Sequence, residues 1–156
     1  MNLPIPTNPG TSSRSKTLAA WLALLLGTLG AHRFYLHGWQ DRVGWLHLPP
    51  TLLGLYGLRR FRELGQDDHL AWLLVPLLGL MISAAMITGI VHALTPDEKW
   101  DARHNPGRTV TATGWGPVLA AIAGLLVGGA VLTGTIAYSG QMFFQWQLES
   151  APAARP

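Results

Sequence analysis

Apolar residues in this chain come in blocks rather than in a one-sided periodic pattern. Residues 70–94, LAWLLVPLLGLMISAAMITGIVHAL, and 115–138, WGPVLAAIAGLLVGGAVLTGTIAY, carry no formally charged side chain. Crossing ~30 Å of hydrocarbon takes ~20 helical residues, so each block predicts a spanning helix. Two shorter blocks precede them. The first runs from about Thr17 to Leu36, with its apolar core ending near Ala31, and Lys16 and Arg33 can snorkel from its ends. The second, from about Val43 to Leu58, contains Pro49 and Pro50. These lack backbone donors and predict either a kink or a helix that begins at the prolines. The expected architecture is all-α: a polytopic membrane protein with four transmembrane helices in a small bundle.

The flanks fit that reading. Residues 1–16 are proline- and serine-rich and read as a disordered tail. Residues 17–60 form one helical pair, 70–138 a second, and 139–156 a C-terminal tail. Trp21, Trp39, Trp45, Trp72, Trp100, Trp115 and Trp146 fall near block ends or just outside them, at the depth where indole rings favour the headgroup region. The run at 18–31 has the length of a signal-peptide core. The bulky Trp21, and the lack of an A-x-A site before His32, point to a retained helix.

Composition sharpens the picture. Hydrophobic residues make up 49% of the chain and charged residues only 12%, well below the ~25% of soluble domains. No cysteine is present, which excludes disulfides, thiolate metal sites and a cysteine nucleophile. The net charge of +3 comes without a Lys/Arg run interleaved with aromatics, so nucleic acid is not an expected partner. In an up-and-down bundle the Lys/Arg residues divide almost equally between the two sides. The RRFR cluster at 59–62 then draws both termini to the cytoplasmic side.

The candidate chemistry sits in GAHRFYLHG at 30–38. Gly27 and Gly30 allow a close helix approach, and Arg33 can grip phosphates bidentately at the boundary. Phe34 and Tyr35 set the depth. The pattern Lys16, Ala20, Gly27, Gly30, Ala31 and HRFYL at 32–36 resembles the TM-two domain family over roughly residues 16–60. The resemblance implies a pair of membrane helices joined by a tight polar turn, with His32, Arg33, Phe34 and Tyr35 as the signature turn. It also implies Gly44 and Leu46 near the start of the second helix. His37 stands where that family usually places glycine, and GLYGLRRF lacks its acidic residue.

Gly116, Ala120, Gly124 and Gly128 recur every four residues and form a smooth stripe. Such a stripe serves packing within the bundle or association with a second copy through the fourth helix. His47 and His92 come out at similar depth, an arrangement that suits a haem or metal held between helices, with His32 or His37 as further ligands. DDH at 67–69 reads as a cap for the third helix. No Walker loop, G-x-S-x-G elbow or H-E-x-x-H motif appears.

The sequence thus predicts a non-enzymatic, cofactor-free interaction or scaffold module in a membrane, the cytoplasmic or inner membrane in a bacterium. Its HRFY turn would contact lipid headgroups or a partner membrane protein. The alternative is a small haem- or metal-binding redox subunit using His47 and His92.

Overall fold

A computed structural model describes residues 13–108 and 112–150. Most of the expected N-terminal tail and the last six residues lie outside that set. Among the described residues the chain is helical: α1 (Lys16–Leu26), a 3₁₀ turn (Gly27–Leu29), α2 (Ala31–His37), α3 (Arg42–Leu46), α4 (Leu48–Leu64), α5 (His69–Leu94), α6 (Asp97–His104) and α7 (Gly116–Ser150).

Two of the four expected spans are single helices long and apolar enough to cross a membrane, α5 with 26 residues and α7 with 35. At 1.5 Å per residue α5 is ~39 Å long. Only 28% of the most apolar window of α5, and 17% of that of α7, is buried. A core helix of a water-soluble domain would be covered on most sides. Here Leu73, Val91, Leu125, Leu126 and Ile136 point outward with more than half their surface free. So large an apolar exterior calls for a hydrocarbon surround.

The other two expected spans are not single helices. α1 stops after 11 residues, ~16 Å. Gly27 begins a 3₁₀ turn, and Gly30, at φ 77°, adopts the left-handed conformation that ends the run. The chain then turns back. The Ser15 backbone N–H donates to the Tyr35 hydroxyl at 2.7 Å, and Leu36 packs with Ala19 and Trp100. Residues 17–36, expected to cross, therefore form a hairpin whose two ends lie together. After a turn at Gly38–Asp41, α3 comes back to the hairpin tip, where a Cβ on Gly30 would meet the Gly44 carbonyl. α4 continues from there, with its prolines in the first turn.

The result is two half-length helices laid end to end along α5. α1 covers the C-terminal half of α5: Lys16 bonds the Thr95 carbonyl at 3.0 Å, and Gly27 lies against Ala85. α4 covers the N-terminal half, with Gly54 against Leu78 and Gly57 against Leu74. They meet where the Thr51 hydroxyl donates to the Thr28 carbonyl at 2.7 Å. That bond satisfies one of the carbonyls freed at the end of α1.

α7 runs antiparallel to α5 along its length. Gly124 lies against Ile90, Gly128 against Met86 and Gly79 against Thr135. The stripe foreseen from the sequence is thus filled within the chain, with Gly116 against Thr17 and Ala120 fully buried. α7 also continues twelve residues past Tyr138, through positions expected to be tail. The Ser139 hydroxyl there folds onto the Thr135 carbonyl at 2.8 Å, so it does not compete for the helix.

Two ends of the bundle are now defined. The proximal end gathers the start of α1, the Gly38–Asp41 turn, the end of α5, α6 and the start of α7. The distal end gathers the α4–α5 connection and the end of α7, where His69 and Glu149 approach to 3.3 Å. The described chain begins at the proximal end and finishes at the distal one. Four full spans predict both ends of the chain on one side; residues 13 and 150 instead lie at opposite ends of the bundle, because residues 17–36 fold back on themselves.

Candidate functional site

The HRFY residues occupy α2, the returning arm of the hairpin, and each has a partner within the chain. His32 is 3% exposed. Its ring lies 5.7 Å from that of His47 and 5.9 Å from that of His92. Its Nδ1 has no hydrogen-bond partner among the described residues and faces the Gly27–Ala85 crossing. Arg33 does not project freely into the boundary. Its Nε donates to Asp41 at 2.6 Å, and Nη2 approaches the other carboxylate oxygen at 3.4 Å.

Asp41 also accepts from the Val43 backbone N–H at 3.1 Å and caps α3. Arg33 above all holds the Asp41 carboxyl below the usual carboxylate range. Phe34 packs against both Trp39 and Trp45, with ring centroids at 4.9 and 5.2 Å, and the two indoles meet each other at 5.2 Å. The Trp45 indole N–H donates to the Trp39 carbonyl at 2.9 Å. Gly44 is required here because a Cβ would run into the Phe34 ring. Tyr35 anchors the entry to α1 through its hydroxyl, and the Arg14 guanidinium lies over its ring at 5.9 Å.

The exposed part of this corner is therefore not HRFY itself but what it supports. Trp39 is 69% exposed, Trp45 45% and Val43 44%, with Arg42 free beside them. These residues, and Asp41, were missed as site residues from sequence. The available signal was the DRV step: an Asp immediately before a short helical run is a cap, and it lies eight residues from Arg33.

A second polar latch closes the proximal end. Lys16 is buried and pairs with Asp97. Asp97 also accepts from the Thr113 hydroxyl at 2.7 Å and backbone N–H at 3.0 Å. Lys16 first, and then Thr113, hold the Asp97 carboxyl down at about 2. The Trp100 indole N–H donates to the Arg14 carbonyl at 2.8 Å. At the distal end the Arg60 fork grips Asp68 at 2.7 and 2.9 Å. Asp68 thus joins α4 to α5 besides standing at the cap position of α5.

His47 and His92, the candidate haem or metal ligands, both lie against His32. The His47 Nδ1–H donates to the Val43 carbonyl at 2.7 Å. Among the described residues no group of three or more His, Asp or Glu is arranged to hold a metal ion.

The apolar, lipid-facing helices and the glycine-built polar corner define a helical membrane protein. Within it, residues 12–63 match the family model of the TM2 domain, about a third of the chain, and the match includes the whole hairpin, α3 and nearly all of α4. That is the family the HRFYL pattern indicated. Comparison with curated proteins and with solved structures gives no match.

Proposed function

We propose that this chain is a non-enzymatic, multi-pass interaction module, held in the membrane by α5 and α7 and carrying a re-entrant TM2-type hairpin at its proximal end. The contact surface is the aromatic–basic corner of Trp39, Arg42 and Trp45, meeting lipid headgroups or a partner membrane protein. The Arg33–Asp41 pair and Phe34 set the shape of that corner. The supporting observation is that every HRFY side chain is engaged inside the fold while the tryptophans they brace stand exposed.

Orientation follows from the two ends. Among the described residues, Arg14, Lys16, Arg33, Arg42, Lys99, Arg103 and Arg108 lie at the proximal end, seven cations against Arg59, Arg60 and Arg62 at the distal end. By the positive-inside rule the proximal end faces the cytoplasm, the cytoplasmic or inner membrane being the expected location in a bacterium.

A photo-crosslinker in place of Trp39, in native membranes, tests the contact. The expected result is a discrete lipid or protein adduct that is lost on Arg33→Ala while helical content is retained. An adduct unchanged by Arg33→Ala, or identical to that from a crosslinker at Leu126 on the outer face of α7, would refute the reading.

A redox or metal-binding role draws support from the gathering of His32, His47 and His92. Its test is an absorption spectrum of the detergent-purified protein. A Soret band lost on changing His47 or His92 would establish it over the interaction module.

A further inference from the structure

A groove of about 910 Å³ opens at the proximal end between the last turns of α5 and α6. It is separate from the Trp39–Trp45 corner and lies outside the residues matched to the TM2 domain. One wall is apolar: Ile90, Val91 and Leu94, of which Val91 and Leu94 are largely exposed. The other wall is cationic, formed by Lys99 and Arg103, one turn apart on α6, with His104 beside them. No carboxylate lines the groove, and neither Lys99 nor Arg103 forms an ion pair among the described residues.

Trp100 forms the floor: it is 4% exposed, its ring lies tilted against that of His104 at 4.3 Å, and its indole N–H donates to the Arg14 carbonyl. His92 also lines the groove, and its buried Nε2 has no hydrogen-bond partner among the described residues. Residues 1–12, 109–111 and 151–156, outside the described set, contain no acidic side chain.

We propose that this groove binds one anionic phospholipid, its phosphate between Lys99 and Arg103 and an acyl chain along Val91 and Leu94. The size falls within the ~300–1,000 Å³ of small-molecule sites. The pairing of a basic rim with an apolar wall fits a molecule that has a phosphate at one end and hydrocarbon at the other. A free phosphate would leave the apolar wall uncovered, and a zwitterionic lipid would leave the two cations less well compensated. The proposal rests on the reading of this chain as a membrane protein. Recovery in the aqueous phase without detergent would sink that reading, whereas the titration below tests the groove alone.

Full-length protein in a zwitterionic detergent is titrated with fluorescent phosphatidylglycerol. The competitors are phosphatidylcholine of the same chains and inorganic phosphate. The expected result is one phosphatidylglycerol per chain, displaced by neither competitor. Lys99→Gln with Arg103→Gln should weaken binding about 30-fold, the worth of two interfacial cations. Ala102→Trp, which fills the groove from an exposed lining position without changing charge, should also abolish saturable binding. Arg59→Gln with Arg62→Gln, at the opposite end, should leave it unaltered.

Displacement by phosphatidylcholine or by phosphate would overturn the proposal. So would an unaffected Ala102→Trp variant, or an equal loss from the Arg59/Arg62 pair, which would make the effect one of general surface charge. Far-ultraviolet dichroism confirms that each variant is folded.

Discussion

At the level of single residues, buried charges act here as internal fasteners. Lys16 lies at the first turn of α1, where an isolated ammonium would be costly. Asp97 and the Thr95 carbonyl receive its charge and donors. The depressed Asp97 carboxyl gives this latch a pH signature. A carboxyl whose folded-state pKa is lowered stabilises the fold above its unfolded value of about 4, and that contribution disappears as the pH falls towards about 2. Thermal unfolding in detergent should therefore show a stability loss between pH 4 and pH 2. In Asp97→Asn that loss should shrink by about 1 kcal/mol, a value discounted for partial solvent screening. Equal acid sensitivity in both proteins would mean that the latch contributes nothing. Nothing in a local sequence window reveals that residue 16 lies beside residue 97.

The helical elements show how far block hydrophobicity carries and where it fails. α5 spans His69–Leu94, against an expectation of 70–94, and α7 starts within a residue of its expected beginning. Long uncharged runs have one solution in hydrocarbon, so length and composition were enough. The N-terminal half was different. Residues 17–36 have the length and apolar character of a short span, and a hydropathy window averages across Gly27 and Gly30. The information lies in those glycines: a Cβ at Gly27 would enter Ala85, and Gly30 combines positive φ with direct contact against Gly44.

Gly30→Ala tests this element. The left-handed conformation costs a non-glycine residue about 1 kcal/mol or more, and the clash with the Gly44 backbone adds to it. The expected outcome is a lowered Tm in detergent and faster proteolysis at the Gly38–Asp41 turn. Gly38→Ala is a useful comparison, because Gly38 also has positive φ but has open space around it; it should be the milder of the two. A Gly30→Ala protein as stable as the parent would show that the hairpin does not turn there. The pairing of Arg33 with Asp41, by contrast, was in reach of sequence reasoning: the signature arginine and the following helix cap are close enough in the chain to meet.

For the molecule as a whole, the reversal within 17–36 changes which surfaces share a side. α1 and α4 together line the length of α5, meeting at Thr28 and Thr51 halfway along it. The proximal end therefore collects the Arg33–Asp41 and Lys16–Asp97 pairs, the exposed Trp39 and Trp45, and most of the described cations. Four full crossings would divide the Lys/Arg residues almost equally between the two sides. With the hairpin in place, Arg33, Arg42 and the α6 cations join Arg14 and Lys16, and a clear asymmetry appears. The HRFY side chains are engaged by partners within the chain, while Trp39, Arg42 and Trp45 beside them stand exposed.

Side-specific labelling of single cysteines separates the two topologies most directly, and the chain's lack of native cysteine makes it clean. Ser13→Cys and Gln40→Cys flank the hairpin, and Gln66→Cys lies at the distal end. In sealed, uniformly oriented vesicles an impermeant maleimide should reach Ser13→Cys and Gln40→Cys from the same side, and Gln66→Cys only from the other. Labelling of Gln40→Cys from the side opposite to Ser13→Cys, with Gln66→Cys back on the Ser13 side, would contradict the hairpin and restore four crossings.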